Sequence, residues 1–160
     1  LEYPDKVAKL IVADIAPVAY EDKHNEVFAA LFATDVKNAA SREEVEKKLR
    51  DRLGNETTVQ FLLKGLSRDA SGKKFEWKFN LESLNKRYPE ISESITSSKP
   101  FNGEVLFIKG EKSSYINSEN YPAINDLFPN NQLAEIKEAG HWVHAEKPAE
   151  FTAEVLRFLA

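Results

Sequence analysis

The sequence predicts an α/β fold built on three parallel strands. Three short apolar runs indicate this, at residues 9–15, 104–109 and 132–137. The first run is continuously apolar rather than alternating, which is typical of a parallel strand covered on both faces. Helical patterns follow each run, so the predicted order is strand, helical block, strand, helix, strand, helix. The last of these helices carries apolar residues at helical spacing up to Leu159.

The composition indicates a globular protein and argues against membrane-spanning, nucleic-acid-binding and disulfide-rich proteins. At 160 residues, with 42% hydrophobic and 30% charged residues, the chain reads as one ordinary soluble domain with a real core. No apolar run approaches the roughly 20 residues that a membrane helix needs. The net charge of −4 comes from interspersed lysines and acids, whereas nucleic-acid binding needs a concentrated basic face. With no cysteine there is no disulfide framework and no thiolate chemistry, which fits an intracellular compartment.

The start of the chain suggests a piece of a longer protein. The sequence contains no methionine, and residues 1–6 read as the last turn of a helix rather than as a signal or transit peptide. The first strand, 9–15, would then lack its upstream neighbour, and an unpaired apolar edge is an aggregation hazard. We therefore expect either a second polypeptide or a longer chain to accompany this segment.

The middle of the chain predicts a helical block. The clearest helix follows a capping box at Ser41 and ends at Gly54. Three other helices are predicted, at residues 22–33, 57–64 and 80–88, with a short strand or extended arm at 75–79. Because no convincing core strand appears between them, we predict a lid at 20–98. Residues 1–19 and 99–160 then form the core, in which Ser118 would cap the helix after the second strand.

Two polar residues follow strands of the predicted sheet. Asp14 ends the first strand, and His141 follows Gly140 after the last one. Because the carboxyl ends of parallel strands share one edge of a sheet, these side chains can meet there. A carboxylate could then hold the tautomer of an imidazole that acts as general base. Each residue alone is also explained as a turn acid or an ordinary histidine.

Two longer segments make the interpretation more specific. They are Asp14-Ile15-Ala16-Pro17-Val18 and Gly140-His141-Trp142-Val143-His144-Ala145-Glu146-Lys147-Pro148. Together they resemble serine esterases of the YbfF type and their mitochondrial abhydrolase-domain relatives, within the α/β-hydrolase superfamily. The resemblance runs from Leu1 to Ala160 and covers the second half of such an enzyme. It implies the C-terminal half of an α/β-hydrolase fold with an inserted helical lid, and a Ser-His-Asp carboxylic ester hydrolase acting on small acyl esters.

The resemblance also implies which carboxylate is the acid. Many α/β hydrolases place it after the penultimate strand, in a Gly-x-x-Asp context. Here that place reads Gly110-Glu111-Lys112-Ser113, so a serine stands where the acid would be. YbfF-type esterases place the acid one strand earlier, at the position of Asp14. Glu111 remains the second candidate for the acid.

The nucleophile elbow, Gly-x-Ser-x-Gly, is absent from the sequence. No two of the six glycines bracket a serine with that spacing. The resemblance implies that the serine lies upstream of Leu1, on an N-terminal hydrolase segment that would be the partner of this chain. We therefore expect the chain alone to be inactive. If the nucleophile lies within this chain, Ser113 and Ser114 are the first candidates.

Aromatic residues of the helical block are candidates for an acyl pocket. We assign Phe28, Phe32 and Phe61, together with Trp142, to substrate binding, although a role in the core or beneath His141 explains them too. His141 and His144 form a His-x-x-His pair with the carboxylate of Glu146 nearby, which suggests metal ligation, but no third ligand at helical spacing appears. We therefore assign His144 a structural role in this loop. We expect neither a metal nor another cofactor.

Three alternatives stay open on the sequence alone. The same fold could carry a thioesterase or an alcohol acyltransferase, or it could be a non-catalytic binding module that holds a partner or an acyl ligand. We expect no nucleic-acid or membrane partner. The resemblance implies an intracellular location, cytoplasmic or mitochondrial.

Overall fold

The structure is a computed structural model that describes residues 1–21 and 24–160. Its elements, in chain order, are a 3-10 helix (Pro4–Lys6), β1 (Lys9–Ala13), α1 (Asn25–Ala33), α2 (Arg42–Leu53), α3 (Glu56–Leu63), β2 (Leu66–Arg68), β3 (Phe75–Trp77), α4 (Leu81–Lys86), α5 (Tyr88–Ser92), β4 (Glu104–Gly110), α6 (Tyr121–Leu127), β5 (Asn131–Ile136), α7 (Val143–Glu146) and α8 (Pro148–Leu159). The first residues of the helix predicted at 22–33 lie outside the described residues. The chain divides into two compact units, Leu1–Ala19 with Ser94–Ala160, and Tyr20–Glu93.

The first unit holds a parallel sheet with the strand order β1-β4-β5. Ala13 pairs with Ile108, and Ile108 pairs with Ala134, so the three strands end close to the same edge. The prediction of three parallel strands is confirmed. The first strand was predicted to reach residue 15, but it ends at Ala13, since Asp14 adopts a left-handed backbone with φ 48°.

Both faces of β4 are buried, which explains its continuous hydrophobic run. Val105 and Phe107 pack on one side with apolar residues of α6 and its end. Leu106 and Ile108 point to the other side and pack with residues of α7 and α8. The end of α8 is also tied to β1, because Lys9 Nζ donates to the carbonyl of Phe158 at 2.7 Å.

Two predicted features of this unit need correction. Ser118 does not cap α6, which begins at Tyr121 after Asn120. The preceding residues close on themselves instead, because Asn120 Oδ1 accepts from the backbone N–H of Asn117 at 3.0 Å. The short helix α7 was not predicted, since four residues are too few to show helical periodicity.

The second unit is a small helical body with its own core. Fully buried side chains of α2 and α3, Val45, Leu49, Val59 and Leu63, meet there. It also contains an antiparallel hairpin, in which β2 pairs with β3. The strand predicted at 75–79 is present as β3. Its partner β2 was not predicted, because a three-residue strand is too short to show alternation. The assignment of residues 20–98 as a lid stays a prediction.

The capping box at Ser41 gives a stability prediction. Ser41 Oγ accepts from the Glu44 backbone N–H at 3.3 Å, and Glu44 Oε2 accepts from the Ala40 N–H at 2.8 Å. Ser41→Ala should cost about 1 kcal/mol, which lowers the Tm by roughly 2–4 °C for a chain of this size. Circular dichroism melting measures it. Ser118→Ala is the matched control, and an equal loss there would contradict the capping role.

Candidate functional site

Three loops meet at the carboxyl edge of the sheet. Asp14 follows β1, Gly110 ends β4 ahead of the loop to Ser113, and His141 lies on the loop after β5. Parallel pairing places all three strand ends at one edge, so residues far apart in sequence come into contact. The loops bring Asp14 and His141 together across 127 positions of the chain.

Asp14 is fully buried and bonded on both carboxylate oxygens. Oδ1 accepts from the backbone N–H of Gly110 at 3.0 Å. Oδ2 accepts from Ser113 Oγ and from His141 Nδ1, the latter at 2.8 Å. Its own backbone N–H donates to the carbonyl of Ile108 at 2.8 Å. A buried carboxylate held by donors from two other loops has one fixed orientation.

The contact with Asp14 orients the imidazole of His141. A carboxylate oxygen accepts hydrogen bonds, so the ring proton lies on Nδ1, and Nε2 of the neutral ring can accept a proton. The His141 side chain is 40% exposed. One face of the ring is covered by Tyr115, whose ring is stacked on it with centroids 3.9 Å apart and planes 17° apart. Tyr115 was missed at the sequence level because no motif marks it.

The loops after β4 and β5 approach at backbone distance. A Cβ added to Gly110 would lie 2.1 Å from the carbonyl oxygen of Gly140. The left-handed residue of this loop is Glu138, with φ 59°, and not the glycine before His141. Gly140 instead leaves room for Glu146, whose Oε1 would be 2.9 Å from a Cβ there.

Glu111, the second candidate for the acid, is bonded elsewhere. Its Oε2 accepts from the backbone N–H of Glu138 at 2.8 Å, and its Oε1 accepts from Lys137 Nζ at 2.9 Å. The N–H of Glu138 first, and then Lys137, lower the pKa of the Glu111 carboxyl below its ordinary value. Glu111 thus ties the loop after β4 to the loop after β5, while Asp14 holds the imidazole.

The hydroxyl of Ser113, one of the two serines considered as nucleophile, is engaged with the acid. Its Oγ donates to Asp14 Oδ2, the oxygen that also accepts from His141 Nδ1, and it accepts from the Tyr115 N–H at 3.2 Å. A nucleophile would have to meet the other ring nitrogen, Nε2. Ser113 therefore lies on the carboxylate side of the imidazole.

The remaining candidate residues are dispersed. Phe28 is buried in the helical unit, where Phe32 and Phe61 are about half exposed. Trp142 is partly buried in the other unit, and an acyl pocket built from the four stays a prediction. His144 packs edge-to-face on Phe151. Within residues 1–21 and 24–160, no cluster of three or more histidine or acidic side chains has the geometry of a metal site.

Curated proteins similar to this chain carry esterase and lipase names. A putative esterase/lipase of Haemophilus influenzae is 38% identical over 98% of this chain. The esterase YbfF of Escherichia coli is 36% identical over 97% of it. The sn-1-specific diacylglycerol lipase ABHD11 of Mus musculus is 34% identical over the whole chain. The chain spans about half the length of these relatives, namely 53%, 59% and 53%.

A solved structure supports the same relationship. A marine microorganism esterase is 39% identical, with a TM-score of 0.93 over 98% of this chain and 62% of its own. No protein-family model matches the sequence. The resemblance to YbfF-type esterases is confirmed along nearly the whole chain. The fold class is confirmed as well, since the three parallel strands with flanking helices match part of an α/β-hydrolase fold. Within the described residues, no helix has the length and apolar character to span a membrane.

Proposed function

We propose that this chain supplies the acid, the base and the lid of a serine carboxylic-ester hydrolase. Asp14 is the acid, His141 is the general base, and the helical unit is the lid. The observation that carries the proposal is the 2.8 Å contact between His141 Nδ1 and the buried Asp14 carboxylate. In the Ser-His-Asp mechanism this contact fixes the tautomer and stabilises the imidazolium that forms when the base takes the serine proton.

The nucleophilic serine lies on a segment upstream of Leu1 in this proposal. The absence of a Gly-x-Ser-x-Gly elbow from the sequence supports it, as does the share of the relatives that the chain spans. In the described part of the chain β1 pairs only with β4, so its other edge is free to receive a strand of that segment. We propose the same segment as the source of the oxyanion hole.

The substrate class follows from the names of the relatives. Two are called esterases and one a diacylglycerol lipase, so small acyl esters and acylglycerols are the first substrates to compare. A thioesterase or an alcohol acyltransferase would use the same residues, with a thiol leaving group or an alcohol acceptor. Product analysis with water and ethanol as competing acceptors separates these reactions. The intracellular location, cytoplasmic or mitochondrial, stays a prediction.

Labelling of the full gene product with a fluorophosphonate probe tests the proposal. The probe phosphonylates an activated serine, and peptide mapping locates it. We expect one labelled serine, on a peptide upstream of Leu1. Label on Ser113 or Ser114 would contradict the upstream nucleophile. No label at any serine would contradict the esterase and favour a non-catalytic binding module.

A further inference from the structure

The loop that carries His141 is held by a carboxylate that the proposed mechanism does not use. Glu146 lies at the end of α7, five residues after His141. Its Oε2 accepts from the backbone N–H of Gly140 at 2.8 Å, and its Oε1 accepts from the N–H of Trp142 at 3.2 Å. These two N–H groups belong to the residues on either side of His141. Both carboxylate oxygens thus accept from the backbone of the two residues next to His141.

The local structure explains why a carboxylate is needed here. Trp142 precedes α7 as its N-cap but makes no side-chain cap bond. The Glu146 side chain reaches back over one helical turn to the N-cap N–H, much as the acid of a capping box does. It extends further than a capping box, because the second oxygen reaches Gly140. The turn from Gly140 to Trp142 is thereby closed around His141.

The Glu146 carboxylate packs directly against Gly140. A Cβ on residue 140 would meet Glu146 Oε1 at 2.9 Å and Oε2 at 3.2 Å. The glycine before the base therefore leaves space for the carboxylate. The carbonyl of Gly140 in turn occupies the space over Gly110, whose N–H binds Asp14. Glu146 thus supports the side of the loop that faces the acid.

From these contacts we infer that Glu146 is a positioning residue, which holds the His141 backbone so that Nδ1 stays on Asp14. The inference rests on the proposed function for its catalytic consequence only. Without the carboxylate, two charge-assisted hydrogen bonds are lost and the loop relaxes away from the acid. A shift of about 1 Å in a reacting group can cost on the order of a hundredfold in rate. We expect kcat to fall by about tenfold to a hundredfold in Glu146→Ala, with KM within twofold.

The experiment compares three substitutions of Glu146 in the full gene product. Glu146→Ala removes both acceptors, Glu146→Gln keeps the shape with one acceptor oxygen, and Glu146→Asp keeps the charge on a shorter side chain. Rates are normalised to folded protein, as measured by circular dichroism, so a smaller folded fraction does not count as a slower enzyme. We expect kcat to rank as parent, Gln, then Asp and Ala. Glu150→Ala, an exposed acid in the first turn of α8, is the matched control.

A second measurement does not depend on the serine. In the full gene product, proton NMR observes the Nδ1–H of His141 that faces Asp14, and we expect Glu146→Ala to broaden or remove this signal. Suppose that Glu146→Ala loses the Nδ1–H signal and that the fluorophosphonate probe labels no serine of the parent protein. The positioning role of Glu146 then stands, and the proposed esterase fails. An unchanged signal and an unchanged kcat in Glu146→Ala would overturn the inference. So would an equal loss in Glu150→Ala.

Discussion

Replacing either member of the Asp14–His141 pair should nearly abolish ester hydrolysis. In the full gene product, we expect Asp14→Asn and His141→Ala each to lower kcat by about 10⁴-fold. An asparagine at position 14 can offer its carbonyl or its amide group to Nδ1, so it no longer selects the tautomer in which Nε2 accepts the serine proton. Alanine at position 141 removes the base itself. Because these groups act on the transition state, KM should change little.

Steady-state rates on a short-chain p-nitrophenyl ester, normalised to folded protein, measure this effect. The effects of the two substitutions on kcat should not multiply. The double variant should be about as slow as either single variant, because the acid acts only through the base. His144→Ala is the matched control, since this second exposed histidine lies in α7 and contacts Phe151 instead of Asp14. A full rate in Asp14→Asn would remove Asp14 from the mechanism. If Glu111→Gln were then the slow variant, Glu111 would be the acid.

The pairing of Asp14 with His141 could be anticipated because it depends on chain order alone. Parallel strands put their carboxyl ends at one edge, so two polar residues that each follow such a strand become neighbours. The same rule makes Ser113 a neighbour of Asp14, since it follows β4 in the middle of the sheet. Short apolar runs predicted the three strands, and apolar residues at helical spacing predicted most of the helices, for similarly local reasons.

The residues that hold His141 in place could not be predicted in this way. Tyr115 stacks on His141 because of the path that the loop after β4 takes, and this path leaves no periodic pattern in the sequence. From the sequence, Glu146 is the carboxylate near a weak His-x-x-His metal motif. In the structure it bonds to backbone N–H groups, which are the same at every residue. Left-handed backbone at Asp14 and Glu138 also carries no signal beyond a mild preference of aspartate.

We expect Gly110→Ala, which adds a single methyl group, to cause the largest loss of stability. A methyl group there would lie 2.1 Å from the carbonyl oxygen of Gly140 and 2.6 Å from that of Ala139. Both atoms belong to the backbone, so no side-chain rotation relieves the overlap. Overpacking of this kind costs about 3 kcal/mol, which corresponds to a Tm lower by roughly 6–12 °C for a chain of 160 residues. Thermal melting of Gly110→Ala in the 160-residue chain measures it.

The control is Gly54→Ala, where an added Cβ meets nothing within 4 Å but the backbone has φ 65°. It should lose only about 1 kcal/mol, the cost of a left-handed alanine. The two variants therefore separate the cost of backbone strain from the cost of close approach.

The overlap at Gly110 can be relieved only if the loop after β5 retreats by about 1 Å, since real Cβ atoms almost never approach closer than 3.0 Å. That movement carries His141 away from Asp14, so Gly110→Ala should also weaken the Nδ1–H signal. The contrary result is that Gly110→Ala melts no lower than Gly54→Ala and keeps the Nδ1–H signal of His141. This result would show that the two loops can move apart without loss of stability, and the fixed geometry of Asp14 and His141 would then need another cause.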